Sequence, residues 1–188
     1  MKKQFSHLLC AAALLLSGPL AIAQSDELLQ KAQAGDAQAQ FKLAAVYLTG
    51  RGGPKNDDEA AKWFMLAAKQ GHAESQANMG LMYGRGRGVP QSDEEAVKWY
   101  RLAAEQGDAD GLFNLAVMYD DGRGVAENPE EAVRLYRLAV AQNHVSSQSN
   151  LGYMYDHGRG VAQDSKEAFK WYMIAAEQGD ANSQFNVG

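Results

Sequence analysis

The sequence predicts an all-α fold built as an array of antiparallel helix pairs with a 36-residue period. Three observations predict it. First, the stretch Asp93-Glu94-Glu95-Ala96-Val97-Lys98-Trp99-Tyr100-Arg101-Leu102-Ala103-Ala104-Glu105-Gln106-Gly107 recurs in register. One period earlier stand Ala60, Trp63, Phe64, Leu66, Ala67, Ala68, Gln70 and Gly71, and one period later Ala132, Tyr136, Leu138, Ala139, Gln142 and Asn143. A further period brings Ala168, Trp171, Tyr172, Ile174, Ala175, Ala176, Gln178 and Gly179. Second, three columns run through the other half of the unit: Leu43, Met79, Leu115, Leu151 and Val187; Ala44, Gly80, Ala116, Gly152 and Gly188; and Tyr47, Tyr83, Tyr119 and Tyr155. Third, each unit carries one Gly-Arg-Gly, at Gly50-Arg51-Gly52, Gly86-Arg87-Gly88, Gly122-Arg123-Gly124 and Gly158-Arg159-Gly160. One such unit cannot bury its apolar face alone, so its neighbours supply the core.

Met1-Lys2-Lys3 is basic, Leu8 to Ala23 is apolar with a Gly18-Pro19 break, and Ala21-Ile22-Ala23 is a small-x-small site. Together they read as a secretory signal peptide cleaved between Ala23 and Gln24. The apolar run is short for a membrane span, which needs about 20 residues. Cys10 lacks the small residues expected ahead of a lipidated cysteine, and it is the only cysteine, so the mature chain forms no disulfide. The leader holds two lysines and no acid, so cleavage takes the net charge from −5 to −7. Such an acidic chain argues against nucleic acid or an anionic membrane as partner. The predicted order is a signal peptide (1–23), an N-terminal capping helix (24–35), repeats at 36–71, 72–107, 108–143 and 144–179, and the start of a fifth, truncated repeat (180–188). A repeat array normally ends in a polar cap. This chain ends on Phe185, Val187 and Gly188, which reads as a piece of a longer protein.

Within each unit the first helix is predicted near 37–49, 73–85, 109–121 and 145–157. Positions 40, 43, 44 and 47 share its inward face. The second helix is predicted near 57–70, 93–106, 129–142 and 165–178, with Ala60, Trp63, Phe64 and Ala67 marking its apolar face. Asn56/Glu59, Ser92/Glu95, Asn128/Glu131 and Asp164/Glu167 have capping-box spacing at its start. Pro129 suits the first helical position. Gly71, Gly107, Gly179 and Asn143 supply left-handed stops. The recurring rings fill the gaps between units, and loss of a buried one costs about 3–5 kcal/mol.

Small-x-x-Tyr, Gly-x-Gly, Ala-x-x-Trp-Tyr and Ala-Ala-x-x-Gly recur together, in order, from Asp36 onward. On these residues the chain resembles the Sel1-like repeat family, relatives of the tetratricopeptide repeats. The resemblance implies a right-handed α-solenoid and a protein-binding role, since such proteins commonly mediate contacts in bacterial envelope assembly, signalling or host interaction. It also implies an alternative, because some cysteine-rich secreted members are associated with penicillin binding and weak β-lactamase activity. Those carry a cysteine pair per repeat, and the mature chain has none. A nitrocefin hydrolysis assay separates the two classes.

Nothing in the residues points to catalysis. The Gly-Arg-Gly loops lack a P-loop lysine and a preceding strand; they read as turns, with the arginines bridging loops or helix ends. His72 and His144 stand where other repeats have Asp36 and Asp108, as caps or surface residues, and no pair has metal-ligand spacing. The expectation is therefore no catalytic residue, no metal and no cofactor, and a monomer that binds a protein or peptide. The candidate partner-binding residues lie on the first helices, facing away from the core, where residues differ between repeats: Asn78, Leu81, Arg85, Asn114, Val117, Asp121, Asn150, Tyr153 and His157. The asparagines alternatively form an internal ladder. Phe41, Phe113 and Phe185 are expected to pack between units.

Overall fold

The computed structural model describes residues 19–51 and 53–188. Residues 1–18, most of the expected leader, lie outside them. All regular structure among the described residues is helical. The chain divides into two compact units, residues 1–91 and 92–188.

Unit 1 holds α1 (Pro19–Gln33), α2 (Ala37–Thr49), α3 (Asp57–Lys69) and α4 (Ala73–Arg85). Unit 2 holds α5 (Asp93–Glu105), α6 (Ala109–Asp121), α7 (Pro129–Val140), α8 (Val145–His157), α9 (Ser165–Glu177) and α10 (Ala181–Val187). The repeat helices fall within two residues of their predicted bounds. In unit 1, Leu28 and Leu29 of α1 pack with Tyr47 and Trp63 against a buried cluster of Ala32, Ala39 and Leu43, so α1 closes the first repeat.

Local chemistry explains the starts. Asn56, Asn128 and Asp164 each accept the amide N–H three residues on, at 3.0–3.1 Å, and Ser92 does so at 3.2 Å. The reciprocal half of the expected capping box is not formed. The backbone N–H of Asn56, Asn128 and Asp164 already donates to the carbonyl of Tyr47, Tyr119 and Tyr155, at 2.8–2.9 Å. Glu59, Glu131 and Glu167 turn instead to Lys62, Arg134 and Lys170 on their own helices. The stops follow the expected chemistry. Gly50, Gly86, Gly122 and Gly158 close the first helices in the left-handed region, and Asn143, at φ 62°, is the one non-glycine residue with positive φ among those described.

The core corrects one expectation. Of the Trp–Tyr pairs, the second ring is the buried one: Phe64, Tyr100, Tyr136 and Tyr172 are only 1–6% exposed. Trp63, Trp99 and Trp171 are half-buried. Successive residues on a helix differ by about 100°, so the tryptophan falls on the edge of the apolar stripe. Gln40, Gln76 and Gln148 are buried as well. Gln40 and Gln76 donate to the carbonyls of Ala32 and Ala68, near the C-termini of α1 and α3, where helix carbonyls lack intrahelical partners.

Candidate protein-binding site

The Gly-Arg-Gly loops clamp neighbouring repeats. In unit 1, Arg87 donates two hydrogen bonds to the Asp57 carboxylate at the start of α3 (2.8 and 3.2 Å), and these hold the Asp57 carboxyl below its usual range. In unit 2, Arg123 donates two hydrogen bonds to the Asp93 carboxylate at the start of α5, at 2.7 and 3.2 Å. Proline occupies the next equivalent position, Pro129, so Arg159 turns to Asp120 at the end of α6, binding its carboxylate and its carbonyl at 2.8 Å. The second glycines Gly88, Gly124 and Gly160 lie directly on the starts of α3, α5 and α7. A Cβ at Gly88 would meet the Asp57 carbonyl oxygen at 2.1 Å, and one at Gly124 the Asp93 carbonyl at 2.4 Å. The loops thus pin one repeat to another, as the sequence suggested for their arginines.

The two histidines are helix caps. His72 Nδ1 accepts from Ser75 N at 3.2 Å, and Nε2 lies 3.0 Å from Gln38 Oε1 of α2. His144 Nδ1 likewise accepts from Ser147 N, with Nε2 3.2 Å from Asp110 Oδ1 of α6. An accepting Nδ1 leaves the proton on Nε2, which donates across the helices. This bond holds the Asp110 carboxyl below its usual range. Phe41 and Phe113 lie tilted against these imidazoles, 5.0 and 4.9 Å between centroids, and meet Phe64 and Tyr136 at 5.8 and 6.0 Å. They pack within the array as expected; Phe185, 87% exposed, has no such cover.

In unit 2, α8 is therefore tied beside α6 at both ends, through His144–Asp110 and Arg159–Asp120. Six of the nine candidates stand on this pair. Asp121, Tyr153 and His157 are exposed, and Asn114, Val117 and Asn150 are half-buried. Tyr153 and His157 stack, with centroids 4.2 Å apart and 29° between planes. The other three stand on α4 of unit 1: Arg85 exposed, Asn78 and Leu81 half-buried.

The asparagines form no ladder. Asn78 and Asn114 each donate to the carbonyl one turn back, of Glu74 and Asp110, at 2.8 Å. Asn150 donates at 2.9 Å to the hydroxyl of Tyr136, whose burial pushes its phenol pKa far up. Asn150 thus serves the core rather than an open face.

Sequence reasoning missed a groove on the other side of the first helices. In unit 2 a cleft of about 350 Å³ is floored by Leu112, Leu115 and Tyr119 of α6 and flanked by Arg101 of α5 and Arg134 and Leu138 of α7. Arg101 donates to the Tyr119 hydroxyl at 3.0 Å, and Arg137 to that of Tyr155 at 2.8 Å. Leu66, Leu102 and Leu138, which the sequence shows only as a repeating column, are 42–46% exposed. The arginines, one period apart and each 18 residues ahead of a tyrosine, were the legible signal. Among the described residues no group of three or more His, Cys, Asp or Glu is placed to hold a metal ion, and no helix is long and apolar enough to cross a membrane.

Helix pairs at a fixed period, clamped to their neighbours through the loops, define a helical-repeat protein. The Sel1 repeat model matches residues 37–72, 73–108, 109–144 and 145–180, and the chain belongs to the Sel1 repeat family, an all-α solenoid class whose repeats mediate protein–protein interaction. Among solved structures, the chain is similar to a protective antigen of uropathogenic Escherichia coli with an SLR fold, at 41% identity and TM-score 0.80. The match covers 84% of this chain and 34% of the antigen. A Sel1 repeat protein from Oxalobacter formigenes is 34% identical at TM-score 0.80, over 85% of this chain and 64% of that one. The chain thus spans about a third of the first relative and under two thirds of the second. Helicobacter pylori cysteine rich protein B matches at 20% identity and TM-score 0.53, over 66% of this chain and 94% of that one, which bears on the fold alone. No curated protein matches the chain.

Proposed function

We propose that this chain is a non-catalytic scaffold for protein–protein interaction. It is exported to the periplasm or secreted, with its leader removed between Ala23 and Gln24. It acts as a monomer and binds a protein or peptide segment through the outward faces of its first helices, α4 in unit 1 and α6 and α8 in unit 2. The observation that carries this reading is the contrast between columns. The positions that recur turn or fill the repeats, whereas Leu81, Val117 and Tyr153 share one repeat position, differ in kind, and remain at least partly open to solvent. Binding energy on such a surface concentrates in a few aromatic or arginine anchors, which here are Tyr153 and Arg85. The absence of cysteine after Cys10 gives the β-lactamase-like alternative no support from this chain.

The test uses protein recovered from the envelope fraction, whose N-terminus is expected at Gln24 by mass spectrometry. A partner identified by pull-down should bind Tyr153→Ala and Arg85→Ala each at least about tenfold more weakly. Helical content and melting temperature should stay unchanged. Wild-type affinity in both variants would discard this face and direct attention to the groove at Arg101 and Tyr119. Met1 retained on a membrane-bound product would overturn export with cleavage.

A further inference from the structure

The stacked pair on α8 has a specific surrounding. Tyr153 is 44% exposed and His157 is exposed, and their rings lie one on the other one helical turn apart. Stacked in this way, they present a flat face whose side-chain freedom is already restricted. The formal charges on the two helices themselves have one sign, and the arginines of the loops that follow them, Arg123 and Arg159, are paired with Asp93 and with Asp120 and Glu127. α6 carries Asp110, Asp120 and Asp121, α8 carries Asp156, and neither helix contains a lysine or arginine. Asp120 is engaged by Arg159 and Asp110 by His144. Asp121 follows Asp120 into the open, and the Asp156 carboxylate lies 3.7 Å from the His157 imidazole, with close to half its side chain exposed. The contacts that tie α8 beside α6 at both ends keep the helices that carry these rings and carboxylates side by side.

We propose that the Tyr153–His157 platform, with Asp121 and Asp156, binds an arginine side chain of a basic segment in the partner protein. This rests on the binding-face reading above and names the chemistry of that face. A guanidinium is planar and weakly hydrated. It stacks on an aromatic face while its edge donates hydrogen bonds to carboxylates. A lysine brings the charge without the plane. An acidic segment is repelled, and an apolar one buries the two carboxylates without a partner.

The probe is a short amidated peptide in which arginine alternates with glycine. Matched lysine and glutamate peptides are titrated alongside it against the whole chain at low ionic strength, with affinity read by calorimetry. The arginine peptide should bind, the lysine peptide at least about tenfold more weakly, and the glutamate peptide not at all. Tyr153→Ala and Asp121→Asn should each weaken the arginine peptide by about tenfold, with melting unchanged. Tyr153→Leu, which keeps the bulk, should weaken it similarly. Glu130→Gln, which removes an exposed acid at the start of α7, should leave it nearly as it was. The proposal is overturned if the arginine peptide fails to bind, if lysine equals arginine, if Tyr153→Ala binds as the wild type does, or if Glu130→Gln weakens binding as much as Asp121→Asn. The last result would mean that net charge alone is at work. If the partner's affinity falls in Tyr153→Ala while the arginine peptide never binds, this chemistry fails and the face stands. If the peptide behaves as proposed while the partner ignores both Tyr153→Ala and Arg85→Ala, the arginine site stands and the face is not the partner's.

Discussion

Gly124→Ala is expected to destabilise unit 2 by about 2–5 kcal/mol, the sum of two costs. The residue sits at φ 66°, where an L side chain costs roughly 1–2 kcal/mol. Its Cβ would also stand 2.4 Å from the Asp93 carbonyl carbon and oxygen and 2.8 Å from Glu94 N. These are backbone atoms at the start of α5 and cannot turn aside as a side chain would. Relieving such overpacking typically costs about 1–3 kcal/mol more. Lifting the loop would also stretch the two Arg123–Asp93 hydrogen bonds. Gly107→Ala is the internal control: its φ is 80°, yet an added Cβ would meet nothing within 4 Å. It should lose only the backbone part, about 1–2 kcal/mol. Urea unfolding followed by circular dichroism measures both. Equal losses would show that the close approach of loop and helix start contributes nothing.

Tyr136→Ala is expected to cost about 3–5 kcal/mol, and Trp99→Ala clearly less. Tyr136 is 1% exposed, stands 6.0 Å from the ring of Phe113, and accepts the Asn150 amide on its hydroxyl. Truncation therefore removes a whole ring's burial and strips Asn150 of its partner. Tyr136→Phe keeps the ring and should lose about 1 kcal/mol, the net worth of the hydrogen bond. Trp99 is half-buried, so part of its surface is already in water and its removal opens no closed cavity. Thermal melts of the three variants give the ranking directly. A larger loss for Trp99→Ala than for Tyr136→Ala would mean that the tryptophans carry the core after all.

Much of this architecture is written in the residues at a local scale. The period marks out helix pairs because each repeat must meet the same neighbours as the last. Asn56, Ser92, Asn128 and Asp164 start helices because a short polar side chain reaches an amide three residues on. Gly71, Gly107 and Asn143 stop them because they tolerate positive φ. These are contacts within one turn of chain, and a sequence displays them. The candidate face was legible to the same extent: Tyr153, His157, Asp121 and Arg85 are on the surface because their positions lie opposite the apolar stripe.

Tertiary structure decided what depends on a second element. Trp99 and Tyr100 are neighbours on a helix and look equally apolar, and only the helices packed on α5 leave one open and bury the other. Glu131 has capping-box spacing, but the Tyr119 carbonyl reaches the Asn128 amide first. Arg159 matches Arg87 in its motif, but proline stands where Asp57 would be, and the guanidinium finds Asp120 instead. Asn150 aligns with Asn78 yet bonds to a buried tyrosine, because Tyr136 brings a hydroxyl where Phe64 has none. The repeat determined by itself where each helix begins, ends and turns its apolar side. Which side chains remain available to a partner was decided by atoms that lie far along the chain and meet only when the repeats stack.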